Sequence, residues 1–457
     1  MKKTGLERML CGYARKRPLR LHMPGHKAGR AFSRRFPMAA ADITELSFSD
    51  SLHRPEGVIA AAEKRVGEIL GAKKCFFLTD GSTCGVFSMV YAAKRCGRKE
   101  LVVCRNSHQS VYNACKALGV EPVVVAQRMS DGVPLPPDPR EIGRALREHP
   151  AADVLLTYPD YYGRRADIAA IKAVCVSLGR RLFADGAHGG HLRFFAPAEY
   201  VGAYADMWVD GVHKTLPCLT QTALLCVSDG ALLSVAAEAA GIFRTSSPSY
   251  PLMASVEYGE TFMAEKGEKL LSSLERELAL FKRRLRAGGY GVFETGDPLK
   301  LCVDFAPAGI SSDAAEEFLQ KKGVYAEMND GRRLLFLLGV TTKKRHLARL
   351  WRALNALMND RALQGACAPP PPPETGTRRT PYLEACAAES ECVPIPAAVG
   401  RVLAENAGVF PPCWPLCVAG ETMTETIAAA LQRARYVFGA DGGTVKVIKK
   451  VREDEER

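Results

Sequence analysis

Short apolar runs alternate with longer amphipathic runs from about residue 55 onward. Residues 58–70 place Ile59, Ala62, Val66, Ile69 and Leu70 on one helical face, which predicts a helix. The pattern predicts further strands at 75–78, 101–104, 122–126, 153–158 and 181–184. It also predicts a helix that follows the turn 79–85 and continues through Tyr91, and helices at 110–118, 139–147 and 167–178. Strands separated by helices predict right-handed βαβ crossovers, hence an α/β fold with a mostly parallel sheet and helices on both faces.

The second half of the chain predicts smaller units. Residues 262–285 form an amphipathic pattern that we expect to be a linker helix after the large domain. Strands near 299–305 and 334–338, with helices near 312–321 and 344–357, predict a small α+β unit. A run of prolines at 369–373 predicts a stiff linker rather than a peptide-recognition site. The expected division is an N-terminal segment 1–54, a large domain 55–289, a small α/β domain 290–364, a Pro-rich linker 365–380 and a C-terminal domain 381–457.

The amino-acid composition limits the classes of protein to which the chain can belong. The 457 residues are 47% hydrophobic and 25% charged, as in ordinary globular proteins. The sequence has no long apolar run and no signal-peptide pattern, so we expect a soluble, cytoplasmic protein without a membrane partner. The net charge of +12 is spread along the chain, and no nucleic-acid-binding motif accompanies it.

Metal sites and disulfides are not predicted. The 15 cysteines have no regular spacing, which favours reduced thiols. Cys413 and Cys417 have no matching pair, so we interpret them as core residues rather than zinc ligands. His22 and His26 are four residues apart, but Pro24-Gly25 between them predicts a turn that carries two solvated histidines.

Polar residues follow the predicted strands where each strand ends. Ligands of open α/β sheets bind beyond the carboxyl ends of the strands. The residues at these positions are Gly81-Ser82-Thr83, Asn106-Ser107-His108, Tyr161-Tyr162-Gly163, Asp185 to His188, and His213-Lys214. Gly81, Ser82 and Thr83 begin a helix and are candidate phosphate ligands, although Ser and Thr also begin many helices that bind nothing.

Lys214 is the candidate nucleophile. A lysine that attacks a carbonyl must lose its proton near neutral pH, which a partly desolvated pocket can bring about. The alternative is an exposed lysine after a strand, the usual place for this residue type. A phosphate cradle, an imidazole, a carboxylate and an amine at one sheet edge together suit a phosphorylated, positively charged heteroaromatic aldehyde.

The sequence resembles the Orn/Lys/Arg decarboxylase family, which comprises fold-type I pyridoxal-phosphate enzymes, and specifically its shorter form without an N-terminal receiver-like domain. The matching motifs keep the family's order over about residues 20–254. They are Leu21-His-Met-Pro-Gly-His-Lys-Ala-Gly29, Asp42-Ile-Thr-Glu-Leu46, Leu52-His-Arg-Pro-Glu-Gly57, Asp80-Gly-Ser-Thr-Cys-Gly85, Asn106-Ser-His108, Tyr161-Tyr-Gly163, Asp185-Gly-Ala-His-Gly189, Val212-His-Lys-Thr-Leu-Pro217 and Thr245-Ser-Ser-Pro-Ser-Tyr-Pro-Leu-Met-Ala254. Weaker similarity continues through Asp297-Pro-Leu-Lys-Leu301.

This resemblance implies a role for each matching residue and makes residues 55–289 the cofactor-binding domain. Lys214 binds pyridoxal 5'-phosphate covalently, with His213 beside it, and His108 stacks on the ring; these three are the expected catalytic residues. Asp185 pairs with the ring nitrogen. The other expected cofactor-binding residues are Gly81, Ser82, Thr83, Ala187, His188 and Ser246, and in relatives the segment around Ser246 approaches the cofactor of a neighbouring subunit, which implies a homodimer.

The resemblance also implies an activity. It is decarboxylation of arginine, lysine or ornithine to CO2 and agmatine, cadaverine or putrescine, in polyamine biosynthesis. An aminotransferase or lyase on the same scaffold stays open, as does a weakly active cofactor-binding assembly partner. The last alternative comes from two departures: Gly211 stands where relatives usually have Ser, and Gly186 where shorter forms commonly have Glu.

Overall fold

The computed structural model describes residues 2–125, 128–363, 365 and 374–449. The five prolines of the predicted linker and most of the charged C-terminal end lie outside the described residues. No helix of the described part combines the length and the apolar character needed to cross a bilayer.

The elements follow the predicted alternation. The strands are β1 (Lys74–Leu78), β2 (Glu100–Cys104), β3 (Glu121–Val125), β4 (Met129–Ser130), β5 (Val133–Pro134), β6 (Ala152–Thr157), β7 (Leu182–Asp185), β8 (Met207–Asp210), β9 (Ala223–Val227), β10 (Gly291–Phe293), β11 (Lys300–Asp304), β12 (Met328–Asn329), β13 (Arg333–Leu337), β14 (Ser390–Pro394), β15 (Ala407–Val409), β16 (Trp414–Cys417), β17 (Val437–Phe438) and β18 (Thr444–Ile448). The helices are α1 (Gly5–Arg15), α2 (Arg30–Arg35), α3 (Val58–Leu70), α4 (Gly81–Arg95), α5 (Gln109–Leu118), α6 (Pro139–Glu148), α7 (Ile168–Ser177), α8 (Leu192–Phe195), α9 (Val212–Thr215), α10 (Leu233–Phe243), α11 (Tyr250–Ala287), α12 (Ser312–Lys321), α13 (Lys344–Met358), α14 (Tyr382–Ala387) and α15 (Glu425–Arg433).

The large sheet has seven strands in the order β1-β9-β8-β7-β6-β2-β3. The pairs β2–β3, β2–β6, β6–β7 and β7–β8 are parallel, so the predicted mostly parallel sheet is confirmed. Strand β9 runs antiparallel to both β8 and β1. Because β9 is antiparallel to both of its neighbours, β1 runs in the same direction as β8. Strand β1 therefore ends at the same sheet edge as β7 and β8.

Helices cover both faces of this sheet, as predicted. Alternate residues of a strand enter different cores because successive side chains point to opposite faces. Val102 of β2 lies in a core with Ile59 of α3, whereas its neighbour Val103 lies in a core with Val86 of α4. Strands that are buried on both faces are typical of parallel sheets.

Helix α11 joins the large sheet to the small one. It is longer than predicted and begins at Tyr250, with Pro251 in its first turn, where proline is favoured because no intrahelical donor is lost. Tyr250 packs in a core of the large sheet, whereas Leu278 and Phe281 pack against the small sheet. The predicted linker helix is confirmed, and it ties two cores together.

The small sheet has the order β10-β11-β13-β12, and all its pairs are antiparallel. Helices α12 and α13 supply Leu319 and Leu354 to its core. The C-terminal elements form further small sheets, and Tyr382 and Val418 pack in the same core as α4 of the large unit. The C-terminal part thus packs on the sheet that carries the candidate site.

Candidate active site

The turns after five strands meet at one edge of the large sheet. They follow β1, β2, β6, β7 and β8, which all run in the same direction. The turn after β8 leads into the single-turn helix α9, which carries Lys214. The predicted positions beyond the strand ends are therefore spatial neighbours.

Lys214 is half-buried, and its Nζ lies 3.3 Å from Nε2 of His188. Burial lowers the pKa of Lys214, while the nearby carboxylates of Asp185 and Glu327 act in the opposite direction. A pKa below the ordinary value of a lysine increases the neutral fraction of the amine, the form that attacks carbonyls. Lys214 is thus partly desolvated, and its role as the nucleophile stays a prediction.

Asp185 and His108 are close enough to Lys214 to interact electrostatically with it. The buried Asp185 ends β7, and its Oδ1 accepts a hydrogen bond from the backbone of Ala187 at 3.2 Å. His108 caps helix α5, and its Nδ1 accepts from the Ser110 backbone at 3.1 Å. Burial lowers the pKa of His108, Lys214 lowers it further, and Asp185 opposes both. A carboxylate, an imidazole and an amine thus lie near one another at this sheet edge.

His213 and His188 complete the ring of imidazoles. His213 is half-buried, and its Nδ1 lies 2.6 Å from the carbonyl oxygen of Thr222, so this nitrogen carries the proton. Burial lowers the pKa of His213. Burial, with the surrounding cations Lys300 and Lys214, holds the pKa of His188 well below its ordinary value. His188 is therefore a neutral imidazole.

The loop before α4 is open where a phosphate is expected. Gly81 has φ +74°, and nothing lies within 4 Å of the position of an added Cβ. One turn further, Gly85 lets α4 approach the sheet, since a Cβ there would lie 2.5 Å from Val209. Ser82 is half-buried and Thr83 exposed, at the N-terminus of a helix of 15 residues. Such a terminus attracts anions.

The segment that contains Ser246 lies beside this loop. The Thr245 backbone donates to Asp80 Oδ2 at 3.3 Å, and its carbonyl oxygen lies 2.9 Å from Nε2 of His53. Ser246 itself is exposed. Its predicted approach to a neighbouring subunit stays a prediction.

Three residues at the site were missed by the sequence prediction. Lys300, at the start of β11, is fully buried, and its Nζ lies 3.1 Å from His188 Nδ1. Glu327 is exposed and accepts a hydrogen bond from the Tyr161 hydroxyl at 2.7 Å. Asp210 ends β8 directly before Gly211. Lys300 stands in the recognised segment 297–301, but neither Glu327 nor Asp210 has a local signal in the sequence.

Asp210 is a fully buried carboxyl beneath the site. Its Oδ2 accepts hydrogen bonds from Tyr200 Oη at 2.5 Å and Trp208 Nε1 at 3.2 Å, and its Oδ1 has no partner among the described residues. Burial raises the pKa of Asp210 to about 7. A Cβ at Gly186 would lie 2.8 Å from this free Oδ1, so the glycine makes room for the carboxyl.

Gly211 is equally confined. An added Cβ would lie 2.8 Å from the carbonyl oxygen of Ala187. The two departures from the family pattern, Gly186 and Gly211, are therefore positions where neighbouring atoms, the Asp210 carboxyl in one case and the Ala187 backbone in the other, leave no space for a side chain.

The two histidines of the N-terminal turn lie outside the site. The turn is confirmed, but the expectation of solvated rings is wrong, because both are half-buried. His22 Nε2 lies 2.5 Å from the Tyr13 hydroxyl, and His26 Nε2 lies 3.1 Å from Asp42. Cys417 is a core residue, as predicted, whereas Cys413 is only half-buried, and its carbonyl accepts from the Gln109 backbone at 2.8 Å.

Comparisons with known proteins agree with this geometry. A family model described as "Orn/Lys/Arg decarboxylase, major domain" matches residues 4–294. An uncharacterized protein of Bacillus subtilis, YaaO, is 28% identical over 98% of this chain and 97% of the relative. An arginine decarboxylase of Halalkalibacterium halodurans is 28% identical over 97% of this chain and 96% of the relative. The constitutive lysine decarboxylase of E. coli has a similar structure, with a TM-score of 0.78, 20% identity, and coverage of 97% of this chain and 82% of that one.

Proposed function

Because the chain belongs to the Orn/Lys/Arg decarboxylase family, we propose that it removes the α-carboxylate of arginine and releases CO2 and agmatine. The family and its fold make the protein a pyridoxal-phosphate-dependent decarboxylase of a basic amino acid. Arginine is the first substrate to test, because relatives of nearly equal length carry the name arginine decarboxylase. The observation that carries the proposal is the half-buried amine of Lys214 between His188, Asp185 and His108.

The residues fit pyridoxal phosphate. The space around Gly81 is open, and the hydroxyl of Ser107, buried beside His108, has no partner among the described residues. In the proposal Lys214 takes the aldehyde, Asp185 the ring nitrogen, and Gly81 with Ser82 and Thr83 the phosphate. The cofactor, when bound, supplies an electron-withdrawing ring that weakens the bond to the substrate's carboxylate.

The protein's own groups then bind and orient the substrate. His108 would lie against the ring of the bound cofactor, and His213, fixed by its contact with Thr222, would lie beside the lysine that holds it. Glu327 interacts electrostatically with Lys214 from the exposed side of the pocket, so its carboxylate can hold the distal cation of a basic substrate. The buried walls exclude water from the reacting centre, which strengthens the electrostatic selection of the bond that breaks.

The first experiment tests the attachment of the cofactor. The purified protein with pyridoxal phosphate should show a visible absorbance band, and Lys214→Ala should lack it. Lys269→Ala, at an exposed lysine of α11, should retain the band and serves as the control. A band of wild-type intensity in Lys214→Ala refutes the assignment.

A second experiment tests the reaction. Carboxyl-labelled arginine, lysine and ornithine are supplied separately, and the released labelled CO2 is trapped. Release that is highest with arginine supports the proposal. Release from lysine or ornithine alone would show that this amino acid, rather than arginine, is the substrate, and decarboxylation of a basic amino acid would still hold. Formation of keto acid without labelled CO2 would identify an aminotransferase and refute decarboxylation. A protein that converts none of the three amino acids would instead be the weakly active, cofactor-binding assembly partner.

The assembly and the cellular role are also part of this proposal. Leu19 and Leu21 are 85% and 84% exposed on the N-terminal segment, and Met23 is 63% exposed. Apolar exposure of this extent is typical of protein–protein interfaces. We propose that the protein is a homodimer that acts in the cytoplasm, in polyamine biosynthesis. Light scattering combined with gel filtration measures the oligomeric state.

A further inference from the structure

The turn that carries His108 is held on both sides by the C-terminal unit, residues 374–449. This turn, residues 105–108, connects β2 to α5, whose first residue is Gln109. At the start of the turn, Arg105 donates two hydrogen bonds to the carboxylate of Glu421, at 2.6 and 2.7 Å. Directly after the turn, the backbone N–H of Gln109 donates to the carbonyl oxygen of Cys413 at 2.8 Å. His108 therefore lies between two contacts with residues that are remote in the sequence.

The N-terminus of α5 has backbone donors for which the helix itself has no acceptor. The first four N–H groups of an α-helix lack an intrahelical partner. In α5 the N–H of Ser110 donates to Nδ1 of His108 at 3.1 Å, whereas the N–H of Gln109 donates to Cys413. The peptide group between His108 and Gln109 is thus oriented by the C-terminal unit, and it is bonded directly to the Cα of His108.

Asn406 holds the side chain of Gln109 as well. It is 2% exposed, and its Oδ1 accepts a hydrogen bond from the backbone N–H of Ala419 at 2.8 Å. Because that backbone group can only donate, the amide of Asn406 has one orientation, with its NH2 group towards Gln109. Its Nδ2 donates to Gln109 Oε1 at 3.0 Å, and Gln109 Nε2 donates to Asn113 Oδ1 at 3.0 Å. The donors and acceptors of this contact therefore have a single arrangement.

We propose that Asn406 is a positioning residue for His108: through Gln109 it fixes the backbone from which the imidazole reaches the cofactor ring. The inference rests on the proposed function, in which His108 lies against that ring. It adds to the site a residue from outside the region 4–294 that matches the family. Cofactor binding by the large sheet then depends on the docking of the C-terminal unit.

The experiment measures the affinity of the apoprotein for pyridoxal phosphate by titration of the visible absorbance band. Asn406→Ala removes the contact with Gln109, and the affinity should fall roughly two- to tenfold, the range that one stacked aromatic pair contributes. Gln109→Ala removes the same contact from the other side and should cause the same loss. Because Gln109 is only half-buried and alanine favours a helix, this second variant serves if Asn406→Ala does not fold.

Glu121→Gln is the matched control, because it weakens the docking of the C-terminal unit far from His108. Glu121 accepts hydrogen bonds from the backbone of Tyr382 and Leu383 at 2.6 and 2.9 Å. It is the first residue of β3, which runs parallel to β2, so it lies at the sheet edge opposite the site. This variant should bind pyridoxal phosphate like the wild type.

A double-mutant cycle distinguishes positioning from a general effect on the fold. In a His108→Ala background the imidazole that Asn406 positions is absent, so Asn406→Ala, or Gln109→Ala in its place, should lower the affinity no further. A further loss as large as in the wild-type background would show that Asn406 acts on the fold rather than through His108.

The outcomes separate this inference from the proposed function. Wild-type affinity in the two contact variants, an equal loss in Glu121→Gln, or the full loss in the His108→Ala background overturns the role of Asn406 and leaves that of Lys214 intact. Wild-type affinity in His108→Ala overturns the role of His108 and this inference with it. A wild-type protein that forms no absorbance band with pyridoxal phosphate overturns the proposed function itself.

Discussion

Replacement of the buried Asp210 by asparagine should stabilise the protein at alkaline pH and have a smaller effect at acidic pH. The ordinary pKa of 3.8 is raised to about 7 in the folded protein by burial. Between these two values the unfolded chain ionises while the folded protein keeps its proton, so the free energy of unfolding falls as pH rises. Below pH 3.8 the group has no effect, and above about pH 7 the full cost is present.

The size of the effect follows from the same two values. Because each pKa unit corresponds to about 1.4 kcal/mol, the cost above neutral pH is roughly 4 kcal/mol. Asp210→Asn cannot ionise, and its amide keeps an acceptor for Tyr200 and Trp208. The free energy of unfolding of the variant, relative to that of the wild type, should therefore increase by roughly 2–3 kcal/mol when the pH is raised from about 5 to about 8. The buried Glu260, whose pKa is raised by burial and further by Asp210, loses the second of these effects in Asp210→Asn, which adds to the gain of the variant at alkaline pH.

Urea unfolding of the apoprotein at these two pH values measures the effect. Trp208 donates to Asp210 and gives a local fluorescence signal. Asp441→Asn, at an exposed residue, controls for the loss of one surface charge. A difference between Asp210→Asn and wild type that is the same at both pH values would refute the reasoning, because a change in packing alone has no such pH dependence.

Three further substitutions test the packing at two glycines and one ion pair. Gly211→Ala should cost about 1–3 kcal/mol by overpacking, whereas Gly241→Ala, in a helix with open space around it, should stabilise by about 0.5–1 kcal/mol. Thermal midpoints check both, and equal midpoints would contradict the clash. Glu421→Gln should cost about 3–5 kcal/mol, because it breaks a bidentate ion pair with Arg105 at 2.6 and 2.7 Å and leaves a cation whose side chain is only 12% exposed. A loss below about 1 kcal/mol, measured by urea unfolding, would show that water replaces the carboxylate.

Local patterns predicted most strands of the large sheet. The strand from Glu100 to Cys104 contains the continuous apolar run 101–104, and helix α3 has the predicted bounds because its apolar spacing ends at a glycine with left-handed backbone, Gly71. Because ligands of open α/β sheets bind beyond the carboxyl ends of the strands, Lys214 and Asp185 were predicted to lie at one sheet edge without knowledge of the strand order. The antiparallel strand β9 was not predicted, since an isolated strand carries no signal of its direction.

Long-range contacts account for what was missed. Lys300 is 86 positions after Lys214 in the sequence, and a lysine at the start of a strand is usually exposed. Only the packing of the small sheet against the turn after β6 buries it. Asp210 resembles any acid at a strand end, and its burial depends on Tyr200 and Trp208. The start of α11 was missed because residues 245–254 were interpreted as a cofactor segment rather than as a helix start.

The small sheet's contribution bears on how the protein can be divided. A fragment that stops at residue 294, where the family match ends, would keep every residue expected to touch the cofactor. It would lack Lys300, whose amine lies beside His188, and Glu327, whose carboxylate interacts electrostatically with Lys214. Such a fragment would contain the whole region that matches the family and yet have an incomplete active site. In this protein, catalytic competence therefore depends on residues of the small sheet as well as on the family motifs.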